Sequence, residues 1–111
     1  MSKKLIDFQP EEIESLIPEM GYSIVSNKIA VNGMKVGFLY REEAGEPEDS
    51  GWRFLSGTEE KDYVENPNNS KVFGVNTVAN YDPAIIPYLN LPPGTEMERV
   101  EESDQFQSLQ P

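Results

Sequence analysis

Cysteine and histidine are both absent from this chain. Without cysteine there is no disulfide, no thiolate nucleophile and no Cys/His zinc site. Without histidine, imidazole acid–base catalysis is excluded as well. Basic residues are scarce: 9 Lys and Arg face 20 Asp and Glu, a formal net charge of −11. That field repels nucleic-acid phosphates and anionic lipid, so neither nucleic acid nor membrane is expected as a partner, whereas basic partners are favoured. Long apolar runs are missing too. No stretch approaches the roughly 20 apolar residues of a membrane span. The start, MSKKLIDFQPEE, lacks the apolar run of a signal peptide, so the chain is expected in the cytoplasm.

What is present argues for a folded chain. The 111 residues suit a single domain, 1–111. Five Tyr, five Phe and one Trp are more aromatics than a disordered acidic chain carries. In EEIESLIPEM, Ile13, Leu16, Ile17 and Met20 fall at i, i+3, i+4 and i+7, which predicts an N-terminal helix within residues 1–22. In IAVNGMKVGFLY, Asn32-Gly33 suits a type I′ turn. A hairpin over 29–40 would then place Ile29, Val31, Met34, Val36, Phe38 and Tyr40 on one apolar face.

A polar loop over 41–51 follows, and then WRFLS, which reads as a strand with Trp52 and Phe54 on one face and Arg53 and Leu55 on the other. Thr58 can cap a helix over 59–65 that stops at Asn66-Pro67. Residues 71–81 read as a strand with Phe73, Val75, Thr77, Ala79 and Tyr81 aligned. In DPAIIPYL, Asp82 caps a brief helix with Pro83 at its first position. Residues 96–100 suit an edge strand, and residues 101–111 a flexible polar tail. The sum is an α+β domain: a mostly antiparallel sheet of about five strands with two or three short helices.

The chemistry that remains is thin. No serine or threonine has a recognisable base, and the acids match no EF-hand spacing. The glycines mark turns rather than a phosphate loop. Trp52 with Arg53 has three readings: core residue with an ion-paired neighbour, part of a partner-binding face, or part of a small-molecule site. Acids concentrate in residues 41–62, where eight face three bases.

Five fragments, YREE (40–43), DSGWRFLSG (49–57), DY (62–63), NTVANYDPAIIPYL (76–89) and PPGTEMER (92–99), stand in this order. Together they resemble a bacterial family first catalogued as a domain of unknown function and later grouped with the immunity proteins of polymorphic toxin systems. The resemblance covers about residues 23–99. It implies no enzyme activity, no catalytic or metal site and no cofactor. It implies a small cytoplasmic protein that neutralises a cognate toxin domain, with Trp52, Arg53, Phe54, Tyr81, Asp82 and Pro83 maintaining the fold.

The charge points to a basic toxin, met by Glu42, Glu43, Glu46, Glu48, Asp49, Glu59, Glu60 and Asp62. A second hypothesis is a housekeeping or regulatory domain with a ligand pocket near Trp52, Tyr63 and Tyr81. A third is a hydrolase using paired carboxylates.

Overall fold

Period-2 alternation decides the centre of the molecule. In the computed structural model, which describes residues 3–109, strand β3 (Asp49–Leu55) buries Trp52 and Phe54 on one face and presents Arg53 and Leu55 on the other. Strand β1 (Tyr22–Ser26) lies beside β3 in parallel, and β2 (Phe38–Arg41) pairs with β3 antiparallel. Strands β4 (Ser70–Gly74), β5 (Glu96–Arg99) and β6 (Phe106–Ser108) complete a six-stranded sheet of order β4-β1-β3-β2-β5-β6. The fold is α+β, with a mixed sheet of one more strand than expected. The parallel pair sits inside it, and the other four pairings are antiparallel.

Among the described residues three short α-helices accompany the sheet: α1 (Asn27–Ala30), α2 (Lys61–Glu65) and α3 (Val75–Tyr81). The core lies on one face of the sheet. Val25, Leu39, Trp52, Phe54, Met97 and Phe106 meet Leu5, Ile29, Val75, Val78, Ile85 and Leu89 from the helices and turns above them. The Trp52 ring stacks on Phe54 at 6.2 Å, and its Nε1–H donates to the Leu89 carbonyl at 3.1 Å. The buried indole thus has its one donor answered.

Several expected elements take other forms. The hairpin over 29–40 does not exist. The Ser26 hydroxyl accepts from the Lys28 amide and starts α1, so Ile29 enters the core from a helical turn. Asn32-Gly33 still provides positive φ, at Gly33 (+82°), but this ends a helix. The Gly33 amide donates to the Ile29 carbonyl at 3.2 Å.

The N-terminal helix is absent as well. Pro10–Glu12 makes a single 3₁₀ turn, and residues 13–20 run on irregularly. Pro18 has no amide for a helix and clashes with the carbonyl four residues back. The strand expected over 71–81 stops at Gly74. Val75, Val78 and Ala79 then bury at helical spacing in α3, a period the same residues also satisfy.

The second helix starts at Lys61 rather than Glu59, and Thr58 instead accepts from the Lys28 ammonium. Asp82 does stand before Pro83, at the head of a 3₁₀ turn, Pro83–Tyr88, but without capping it. Strand β5 is not an edge, because β6, built from the expected flexible tail, covers it and buries Phe106. The first two residues of the expected helical region and the last two of the tail, 1–2 and 110–111, lie outside the described residues.

Candidate functional site

The face of the sheet away from the core is only partly covered, by α2 beside Ile24, Tyr40 and Leu55. Alternation assigns Ile24, Arg53, Leu55, Phe38, Tyr40, Glu96 and Glu98 to it. Phe38 and Tyr40 lie 5.7 Å apart, both half-buried, opposite Glu98 and Glu96 of the adjoining strand. They were expected on the apolar core face. Their phase is shifted because Val36 is buried ahead of the strand and Gly37 follows it. A Cβ at Gly37 would stand 2.0 Å from the Ser56 carbonyl oxygen, so only glycine allows this approach to the end of β3.

Arg53 organises the middle of this face. Its Nη1 and Nη2 each donate to Asp49 at 3.0 Å, and its Nε donates to Glu42 at 2.8 Å. Asp49 is buried and also accepts from the amides of Gly51 (2.8 Å) and Gly45 (3.2 Å). The Arg53 guanidinium, against the cost of burial and with help from those amides, holds the Asp49 carboxyl far below the usual range. Asp49 in turn raises the Arg53 pKa. Gly51, at φ +86°, lets β3 pass the Glu42 carbonyl, where a Cβ would come within 2.2 Å.

Beside this network α2 brings Tyr63 and Val64 over Ile24, Tyr40 and Leu55, forming a cavity of about 210 Å³. Burial raises the Tyr40 pKa, and Glu42 adds to it. The phenol stays neutral and able to donate.

The eight acids expected to meet a partner divide by location. Glu43, Glu46 and Glu48 stand exposed in the loop before β3. Glu60 and Asp62 stand exposed beyond its other end, roughly 20 Å of strand away. Glu46 accepts from the Tyr22 hydroxyl at 2.6 Å, and this bond pushes the phenol up to about 12. Three more of the eight are engaged inside the domain. Glu42 and Asp49 are taken by Arg53. Glu59 accepts from the amides of Ser56 (2.8 Å) and Gly57 (3.0 Å). Burial opposes its ionisation, but hydrogen bonds from Ser26 and Ser56 hold its pKa below the ordinary value.

Sequence reasoning missed Glu96 and Glu98. Their alternation with Met97 in EMER was the available signal. The pocket expected from Trp52, Tyr63 and Tyr81 does not form. Trp52 is buried, and Tyr81 lines another recess with Phe8 and Pro83.

The fragments quoted from the sequence interlock in space. Asp82 is buried, accepts from the Val36 amide at 3.0 Å and meets Arg99 Nη2 at 2.5 Å. The Arg99 guanidinium also lies 4.8 Å over the Phe106 ring. Arg41 donates to the carbonyls of Ser50 (2.9 Å) and Leu91 (2.8 Å) and lies 5.5 Å over Trp52. YREE, GWRF, NYDP and TEMER are thereby joined at the two ends of the core.

Among the described residues no helix is long and apolar enough to cross a membrane. No curated protein and no solved structure matches the chain. The family model described as the Immunity protein Imm33 domain matches residues 23–110, which takes in the sheet except for Tyr22 at the start of β1 and leaves the N-terminal segment outside. With most of its length matched, the chain belongs to the Imm33 immunity-protein family.

Proposed function

We propose that this protein is a non-enzymatic inhibitor that neutralises a cognate toxin by docking its open sheet face on a basic surface of that toxin. Family membership supports a toxin-immunity role. The observation that carries the docking face is the half-exposed Phe38–Tyr40 pair flanked by Glu96 and Glu98 on one side and by the Arg53–Glu42 pair on the other. An apolar centre with a charged rim is the anatomy of a protein interface. The exposed loop acids Glu43, Glu46 and Glu48, with Glu60 and Asp62 beside α2, extend the negative field and steer a basic partner. The net charge of −11 works in the same direction. The inhibitor acts in the cytoplasm by covering its partner, and no chemical step is required of it.

The test is co-expression with the toxin domain encoded beside its gene, followed by calorimetry on the purified pair. The expected result is restored growth and saturable binding that weakens with salt. Loss of binding in Phe38→Ala and Glu98→Lys, with folding kept, supports the open face. Full binding by both variants rejects that face, and failure to protect or to bind rejects the inhibitor reading.

A second reading rests on the cavity between Tyr40, Tyr63 and Arg53, which can take a small ligand. Thermal shift against a metabolite library tests it, and stabilisation by one compound class that Tyr40→Ala abolishes would favour it.

A further inference from the structure

The helical side of the molecule, away from the open face, carries an arrangement the immunity reading does not use. Asn76 and Asn80 stand four residues apart on α3 and so share one side of that helix. Both side chains are directed at the main chain of residues 14–17. Asn80 Oδ1 accepts from the Glu14 amide at 3.0 Å. Asn76 Oδ1 accepts from the amides of Leu16 (2.9 Å) and Ile17 (3.3 Å). The Nδ2 groups of both asparagines donate to the Glu14 carbonyl at 2.8 Å. Asn80 Nδ2 also donates to the Asn76 carbonyl at 2.9 Å, which fixes its amide plane.

Among the described residues, and apart from the neighbouring Gly21 amide on Glu19, the hydrogen bonds between residues 14–20 and the rest of the domain are the five made by these two side chains. The segment is held by its backbone, as a peptide ligand is held. Its side chains contribute little: Glu14 and Ser15 are exposed, Leu16 is 42% exposed, and only Ile17 and Met20 rest against the core. The clamp lies within the family match and the segment it holds lies before it.

We propose that Asn76 and Asn80 form a backbone-reading site for an extended peptide, and that residues 14–17 are a releasable strap occupying that site. Main-chain recognition makes the site tolerant of sequence. The one side-chain requirement is an apolar residue at the position of Ile17, three residues after the one whose N–H and C=O are both held. The tether keeps the strap at a high effective concentration, so an outside peptide enters only when the strap lets go. The strap thereby gates the site. The ligand class is an extended polypeptide segment, and the site is independent of the open sheet face.

The probe is a fluorescein-labelled peptide copying residues 11–20, titrated into full-length protein and followed by anisotropy. In the double variant Glu14→Pro/Leu16→Pro the strap loses two of its three clamped amides, while no buried residue is replaced. The peptide should bind this variant saturably and at least ten-fold more tightly than wild type. Adding Asn76→Ala/Asn80→Ala should abolish the binding. A released variant that is folded by circular dichroism yet does not bind overturns the proposal, as does binding that survives loss of both asparagines. Hydrogen exchange on the wild type gives a test that needs no variant to fold. The amides of Glu14, Leu16 and Ile17 should exchange by local opening, well before those of β3. Exchange only through global unfolding would make the strap a fixed part of the fold and end the proposal.

Discussion

Trp52 and Arg53 are neighbours in sequence and stand on opposite faces of one strand. Trp52 is 0% exposed, with its nitrogen on the Leu89 carbonyl and Arg41 over its ring. Arg53 stands on the open face, tied to buried Asp49 and to Glu42, whose side chain is 52% exposed. The two faces use similar residue types for different ends. On the core face arginines close the apolar layer: Arg41 over Trp52, and Arg99 over Phe106 with Asp82. On the open face an arginine holds carboxylates in place beside the half-buried aromatics Phe38 and Tyr40. Core-face residues are bound to the fold by every contact they make. Open-face residues are tied to one another by ion pairs and leave Phe38 and Tyr40 half-buried.

The largest effect should come from the core face. Trp52→Ala is expected to cost about 3–5 kcal/mol, the range for truncating a buried aromatic. Chemical denaturation followed by circular dichroism reads it, and a wild-type midpoint would erase the contrast between the faces. Next, Asp82→Ala leaves the Arg99 guanidinium without its buried carboxylate and the Val36 amide without an acceptor. A loss of about 3 kcal/mol is expected by thermal or urea unfolding. Asp82→Asn should recover part of it by keeping an oxygen for Val36, and equal losses would show that only the charge matters.

A smaller, pH-dependent effect belongs to the open face. Because Asp49 stays ionised in the fold well below its ordinary 3.8, the unfolded chain takes up this proton first. Its contribution is whole above about pH 5 and is lost as pH falls through 3.8 toward the lowered folded value. Asp49→Asn should therefore flatten the fall of the unfolding midpoint below about pH 4. An unchanged slope would place acid sensitivity elsewhere. Smallest of all for stability is Glu98→Lys, expected to stay within about 0.5 kcal/mol of wild type. If it unfolds the protein instead, the open face is structural after all.

The strand through Trp52 and Phe54 and the Asp82-Pro83 turn were legible because alternation and turn chemistry act within a few residues, although the strand begins at Asp49, inside the expected loop. Positive φ at Gly33 was legible too, but not its use, since a hairpin and a helix end both require it. Residues 75–81 fit a period of 2 and a period of 3.6, and only their packing against Leu5, Ile85 and the sheet decides. The parallel β1–β3 pair joins residues more than twenty apart, and no local signal specifies it. The phase error before Phe38 had the widest consequence. It moved Phe38 and Tyr40 into the expected core and so hid the face on which Glu96 and Glu98 flank them. The asparagine clamp was hidden for the same kind of reason, since the amides it serves lie some sixty residues earlier in the chain.

The place of β1 in the sheet also constrains how the chain assembles. Both of its neighbours, β3 and β4, come later in sequence, so β1 has nothing to pair with until β3 has been made, and its second edge stays bare until Gly74. Trp52 then waits for Leu89, and β2 keeps a bare edge until β5 arrives. Contacts this distant in sequence make for slow, late folding. A nascent chain halted short of Glu96 would lack Glu96 and Glu98 and would leave the second edge of β2 unpaired. Such a fragment offers an unpaired strand edge to other chains and is an aggregation hazard. Synthesis thus yields a working surface in one late step, and interrupted synthesis yields a liability rather than a weaker version of the protein.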